Sequence, residues 1–106
     1  MGQTFQSSHF STDGVPDGGQ SFGPGFCIAW QRGPLGTGEN RTEPNGAFVE
    51  TIIEVAIGRL EHYQDSMFKC EENELAIANL RAALRCLSER TQRRERLGIE
   101  GTHKGT

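Results

Sequence analysis

The stretch 47-AFVETIIEVAIGRLEHYQDSMFKCEENELAIANLRAALRCLSERTQRRERLG-98 decides the fold. In its first half Phe48, Ile52, Val55, Ala56, Leu60 and Tyr63 recur at helical steps, while Glu50, Glu54, Arg59, Glu61 and His62 face away. That is an amphipathic helix, and about eighteen residues of it rise roughly 27 Å. Asn45 is the expected N-cap, with Glu50 and Glu54 near the positive end of the helix dipole. Asp65 to Cys70 is a short connector, so the next helix returns antiparallel. It is predicted from about Glu71 to Arg96, with Glu71, Glu72 and Glu74 in its first turns and Ile77, Leu80, Leu84 and Leu87 as its seam. Ala76, Ala78, Ala82 and Ala83 admit a second backbone at close range, and Gly98 is the expected stop.

Upstream, 26-FCIAWQRG-33 alternates Phe26, Ile28 and Trp30 with Cys27, Ala29 and Gln31, which is the period of a short strand. Gly33 and Pro34 end it, and 35-LGTGENRTEPNG-46 reads as a long loop. The first 25 residues are Gly, Ser, Asp and Gln with isolated Phe5, Phe10 and Phe22, the composition of an unstructured arm. The expected class is therefore α+β, with short N-terminal strands followed by an antiparallel two-helix hairpin. The expected organisation is a flexible arm at 1–25 and a single domain at 26–106, made of a strand region 26–46, the hairpin 47–97 and a basic tail 98–106.

The composition leaves little for a core. Ten of the fourteen glycines and all four prolines lie in the first 46 of 106 residues, and only 34 percent of the chain is hydrophobic. A chain this small and polar buries too little surface alone, so self-association is expected. Cys27, Cys70 and Cys86 have no metal-type spacing and read as reduced, intracellular thiols. MGQTFQSSHFSTDG lacks the basic flank and apolar run of a signal peptide, no segment has membrane-spanning length, and Gln6 stands where a myristoylation signal prefers Ser or Thr.

Charge narrows the partner. Residues 81–104 hold seven of the eleven Lys and Arg against three acidic residues, leaving a segment of +4 on a remainder of −7 in a chain of net charge −3. An acidic protein with a pI of about 5.6 lacks the extended basic face that long nucleic acid requires. A compact anion with one to three phosphates fits better. Arg90 and Arg94, at i and i+4, lie on one helix face and can grip phosphate bidentately. Thr91 and Thr102 supply hydroxyls, and Gly101 to His103 offers backbone amides of the kind that form anion nests. Tyr63 and Phe68 flank the connector, where either can stack on a base or plug the core. Asn73 is equally suited to capping a helix.

No nucleophile, base and orienting acid converge among His9, His62 and His103, so no catalytic, metal or cofactor site is expected. Two other readings stand beside binding: a phosphodiesterase-like enzyme using His103 as general acid, and a small RNA-binding or interaction module.

The block from Leu60 to His103, with HYQ, FKCEENELAIANLRAALRCL, RTQRR and GIEGTH, resembles the phage Thoeris anti-defence sponge family, whose pattern runs FQ, FxCxENAxAITKLEEALxWL, RTxxR, GVEGTH. IAWQRGPLG resembles its early FQxGP strand motif, and the hairpin is shared with phage anti-CBASS sponges. The resemblance implies a non-enzymatic cytoplasmic protein of the infected bacterium that sequesters nucleotide second messengers. These are glycocyclic ADP-ribose made by TIR-domain enzymes and, at separate pockets, cyclic dinucleotides or trinucleotides. It also implies dimers, associating to hexamers, with pockets at subunit boundaries; charge and the lack of a spanning segment leave neither long nucleic acid nor membrane as an expected partner. By motif, Tyr63 stacks on a base, Asn73 hydrogen-bonds ligand, and Arg90 and Arg94 bind phosphates with Thr91, Thr102 and His103 nearby. Tyr63 replaces the usual Phe, Cys86 sits where Trp is frequent, and Leu97 stands where an arginine commonly precedes the glycine.

Overall fold

The computed structural model describes residues 2–105; Met1 and Thr106, the ends of the expected arm and tail, lie outside the described residues. The chain forms an α+β fold of two compact units, one running through Phe48 and resuming at Gly98, the other Val49–Leu97. Residues 26–106, expected as one domain, are thus divided between both.

The first unit is a three-stranded antiparallel meander of β1 (Gln6–Thr12), β2 (Val15–Gly23) and β3 (Phe26–Trp30), in the order β1-β2-β3. This corrects the unstructured arm expected over 1–25. Composition hid two tight turns. Asp13 and Gly14 both take positive φ, 52° and 77°, between the paired Thr12 and Val15, as a type I′ hairpin turn requires. Pro24 followed by Gly25 at φ 87° joins the paired Gly23 and Phe26, the signature of a type II turn. Gly19 allows β1 to close on β2, since a side chain there would collide with the carbonyl of Ser8.

The sheet is held by a polar centre. Ser21 is buried, its hydroxyl lying 2.8 Å from that of Ser7 and accepting the Trp30 indole N–H at 3.0 Å. Every residue of β1 is exposed. Beyond β3, Asn45 is not the cap of the following helix. Its side-chain amide instead pairs both ways with the Arg32 backbone, at 2.8 and 2.9 Å, and so pins the end of the long loop beside the strand. That loop contains a single 3-10 turn, Gly38–Asn40. It is braced by the segment after Gly98: Gly36 N–H donates to the Gly101 carbonyl at 2.8 Å, and Arg41 grips Glu100 with two bonds of 2.6 and 3.0 Å.

The second unit is the hairpin, α1 (Val49–Gln64) and α2 (Glu71–Arg96). The span of α2 and its stop at Gly98, with φ 71°, match expectation. Among its less exposed positions, which also include Ala76, Ala82 and Ala83, Asn73, Ile77, Leu80, Leu84, Leu87, Thr91 and Arg94 follow one another at steps of four and three residues, the spacing of a helix seam. On α1 the matching stripe is Ile52, Ile53, Ala56, Ile57, Leu60, Tyr63 and Gln64. Val55, expected on that stripe, is 65% exposed. Among the described residues only Ile57 and Ile77 are buried hydrophobics. No helix among the described residues is long and apolar enough to cross a membrane.

Replacing Ser21 by alanine removes the acceptor of the Trp30 indole, and an unsatisfied, partly buried donor costs about 1–3 kcal/mol. Trp30 is the sole tryptophan. Its fluorescence should therefore report an earlier urea transition for Ser21→Ala, and an unchanged midpoint would refute the role given to this serine.

Candidate ligand-binding site

The turn between the helices is built by side chains bonding to its backbone. Gln64 Nε2 donates to the Cys70 carbonyl and Gln64 Oε1 accepts the Cys70 N–H, both at 3.0 Å, closing the connector. Within that ring, Ser66 Oγ donates to the Tyr63 carbonyl at 2.6 Å and accepts the Phe68 N–H at 3.1 Å. Asn73, three residues past the cap position Cys70, reaches back so that Nδ2 donates to the Phe68 carbonyl at 3.2 Å. It is thus a brace of the turn rather than the N-cap.

These bonds set Tyr63, Phe68, Cys70 and Asn73 around an open concavity of about 360 Å³. The two rings meet edge to face, with centroids 6.4 Å apart and planes at 83°. One apolar wall of aromatic rings facing an amide suits a flat heterocycle, which needs stacking and an in-plane hydrogen bond. Among the described residues Asn73 Oδ1 has no protein donor, so it is available for that bond. The ring of Tyr63 carries a further neighbour: Arg59 Nε donates to the phenol oxygen at 3.2 Å, and its guanidinium lies 4.9 Å from the ring centroid.

A second, larger hollow of about 420 Å³ opens on the hairpin between Glu61, Gln64, Asp65, Glu74, Ile77, Ala78 and Arg81. Three carboxylates line it, and its one cation already pairs with Glu61 at 2.9 Å. A phosphate would be repelled there, which leaves the aromatic concavity as the better seat for a nucleotide.

The basic cluster lies at the other end of α2. From Asn73 to Arg90 the helix rises about 26 Å at 1.5 Å per residue. Arg90 and Arg94 share a face but not an environment, for Arg90 is exposed whereas Arg94 is 7% exposed. Thr91 is half-buried, its hydroxyl donating to the Leu87 carbonyl at 3.2 Å. Thr102 and His103 belong to the sheet unit. The Thr102 hydroxyl donates to the Ile99 carbonyl at 2.5 Å and accepts the Lys104 N–H at 3.2 Å, a local turn. His103 borders a hollow with Thr12, Asp13, Val15, Asp17 and Gly33.

The structure therefore brings Tyr63 and Asn73 together with Phe68, groups Arg90, Thr91 and Arg94 at the far end of the helix, and gives Thr102 a structural bond. Sequence reasoning missed Gln64 and Arg59. Gln64 had a signal in its position beside the expected connector, and Arg59 one in its spacing of four from Tyr63.

Residues 28–87 match the Acb2/Tad1 hairpin domain. The chain belongs to that family. Over 60 residues it is 47% identical to Thoeris anti-defense 1 of Bacillus phage SBSphiJ7, an alignment covering 57% of this chain and 42% of that protein. It thus matches under half of that relative's length. The matched hairpin domain takes in the end of β3, the whole connector, Tyr63, Gln64 and Asn73, and ends before Arg90.

Gln64→Ala should cost about 1–2 kcal/mol through the loss of two bonds, and Gln64→Glu, which keeps only the acceptor, about half of that. Hydrogen exchange at the Cys70 amide should accelerate in Gln64→Ala while far-UV circular dichroism keeps its helical signal. Wild-type protection in that variant would remove Gln64 from this role.

Proposed function

We propose that this chain is a phage anti-defence protein that blocks Thoeris signalling by binding the nucleotide messenger of TIR-domain enzymes and holding it intact. The observation that carries this reading is the aromatic and amide concavity of Tyr63, Phe68 and Asn73, which lies inside the segment matching the hairpin domain. A relative named for anti-Thoeris defence supports the same direction. The adenine of glycocyclic ADP-ribose stacks on Tyr63, where base–aromatic contact contributes about 1–3 kcal/mol, and bonds to Asn73. The protein acts by mass action in the cytoplasm of the infected bacterium. It does no chemistry, and its partners are cyclic nucleotides and other copies of itself. Cyclic di- and trinucleotides, with two and three phosphates, use the Arg90, Thr91 and Arg94 end.

Geometry makes assembly part of this function. With Asn73 of the concavity and Arg90 about 26 Å apart along α2, no mononucleotide-sized ligand reaches both in one chain. Two copies associating with their α2 helices antiparallel would place the Tyr63 concavity of each beside the arginines of the other. The exposed Val55 and Leu75 on the helices, and Phe5, Phe10 and Phe26 in the sheet unit, supply apolar surface for dimers and for their further association to hexamers.

Light scattering should accordingly find no stable monomer at micromolar concentration, and a monomer there would overturn the shared pocket.

Incubation with glycocyclic ADP-ribose, followed by filtration, heating and chromatography, should return the intact ligand; a cleaved product would instead support a phosphodiesterase. Tyr63→Ala, Asn73→Ala and Arg90→Ala should each weaken calorimetric affinity, by about fivefold to a hundredfold for the ring and the cation, with helix content unchanged. Wild-type affinity in all three would sink the site.

A further inference from the structure

Besides Lys69 of the connector, the hairpin carries a cation beside its aromatic pair, Arg59, whose chemistry differs from that of the other arginines. Arg81 is neutralised by Glu61 and Arg94 is buried, whereas Arg59 is exposed and no carboxylate reaches it among the described residues. Its side-chain partner there is Tyr63. The bond from Nε to the phenol oxygen, 3.2 Å, and the approach of the guanidinium to 4.9 Å from the ring centroid hold the side chain without cancelling its charge. Both terminal nitrogens keep their hydrogens free, in the planar fork that matches a phosphate. The same ring borders the concavity proposed to seat the base.

We infer that Arg59 is a ligand-binding residue of this site, a phosphate-binding cation positioned by the hydroxyl of the ring that stacks the base. This rests on the binding function proposed above and narrows it: the site selects a nucleotide whose phosphate lies within one guanidinium of its base. The hydroxyl is the decisive atom. A phenylalanine, usual at this place in the resembling pattern, could attract the guanidinium only through its π face, whereas Tyr63 also fixes its direction.

The test is calorimetric titration with glycocyclic ADP-ribose at low and high salt, using Arg59→Ala, Arg59→Lys, Tyr63→Phe and the double variant Arg59→Ala/Tyr63→Phe. Arg59→Ala should bind about tenfold or more weakly, as expected for a lost charge-assisted bond, and its affinity should depend less on salt. Lysine, lacking Nε and the fork, should not restore it. Tyr63→Phe should lose a smaller factor, and in its background removal of Arg59 should cost less than in the wild type, the non-additivity of a coupled pair. Arg59→Ala binding within twofold of wild type, while Tyr63→Ala has lost binding, would overturn this inference and leave the proposed function standing. Full additivity would overturn the positioning by the hydroxyl. If the wild-type protein does not bind glycocyclic ADP-ribose, the functional reading falls and this inference with it.

Discussion

The reversal of the chain between the two helices is closed by the side-chain amide of Gln64, and the candidate site depends on it. Gln64 bonds to both the N–H and the carbonyl of Cys70, so the end of α1 and the start of α2 are tied at the same residue. Tyr63 precedes that clamp and Asn73 follows it by three residues in α2, which fixes both on the rim of one concavity. Cys70 has no side-chain capping bond of its own. The first turn of α2 instead carries the carboxylates of Glu71, Glu72 and Glu74, whose charge compensates its free amides.

Along the seam the residue types change with position. The step of three and four continues unbroken from Asn73 to Arg94, yet only the middle, Ile77 to Leu87, is apolar. Polar residues at seam positions sacrifice burial energy, since each replaced leucine forfeits about 1.5–3 kcal/mol of transfer free energy. Asn73 lies at one end of this stripe, and Thr91 and Arg94 at the other. The polar ends of the stripe and the candidate binding residues coincide, which is where a small protein can give up packing to function at least cost to its centre.

The helices were legible because their apolar periods are long and their punctuation is clear: a short connector, acidic first turns and Gly98. The first two strands were not, because the fraction of Gly and Ser in residues 1–25 outweighed two short signals, Asp13-Gly14 and Pro24-Gly25, that carry stereochemical information composition lacks. Asn45 was misassigned because its hydrogen-bonding capacity serves a helix cap and a strand-side brace equally well, and only the fold tells which backbone it meets. Val55 follows the period but lies at the edge of the stripe, and periodicity alone does not resolve an edge. Spacing and resemblance made Tyr63, Asn73 and Phe68 candidates. That they share a concavity follows from the Gln64 clamp, which no propensity records. The contrast between Arg90 and Arg94 was hidden for the same reason, since i and i+4 share a face but the depth of each depends on what lies over it.

Charge along α2 favours an orientation for self-association. Its first turn carries Glu71, Glu72 and Glu74, and its last carries Arg93, Arg94 and Arg96 with Arg90 one turn before. Two such helices side by side and parallel would set acid against acid and base against base, with their dipoles aligned unfavourably. Antiparallel, each acidic start lies by a basic end and the dipoles oppose. The attraction is modest between exposed groups, about 0.2–1 kcal/mol per pair, but its sign is the same at both ends. The orientation that charge favours is also the one that brings the aromatic concavity of one copy to the arginines of another. A nucleotide placed between them would meet a ring for its base and cations for its phosphates. Ligand and partner copy would thus stabilise the same arrangement, each raising the affinity for the other.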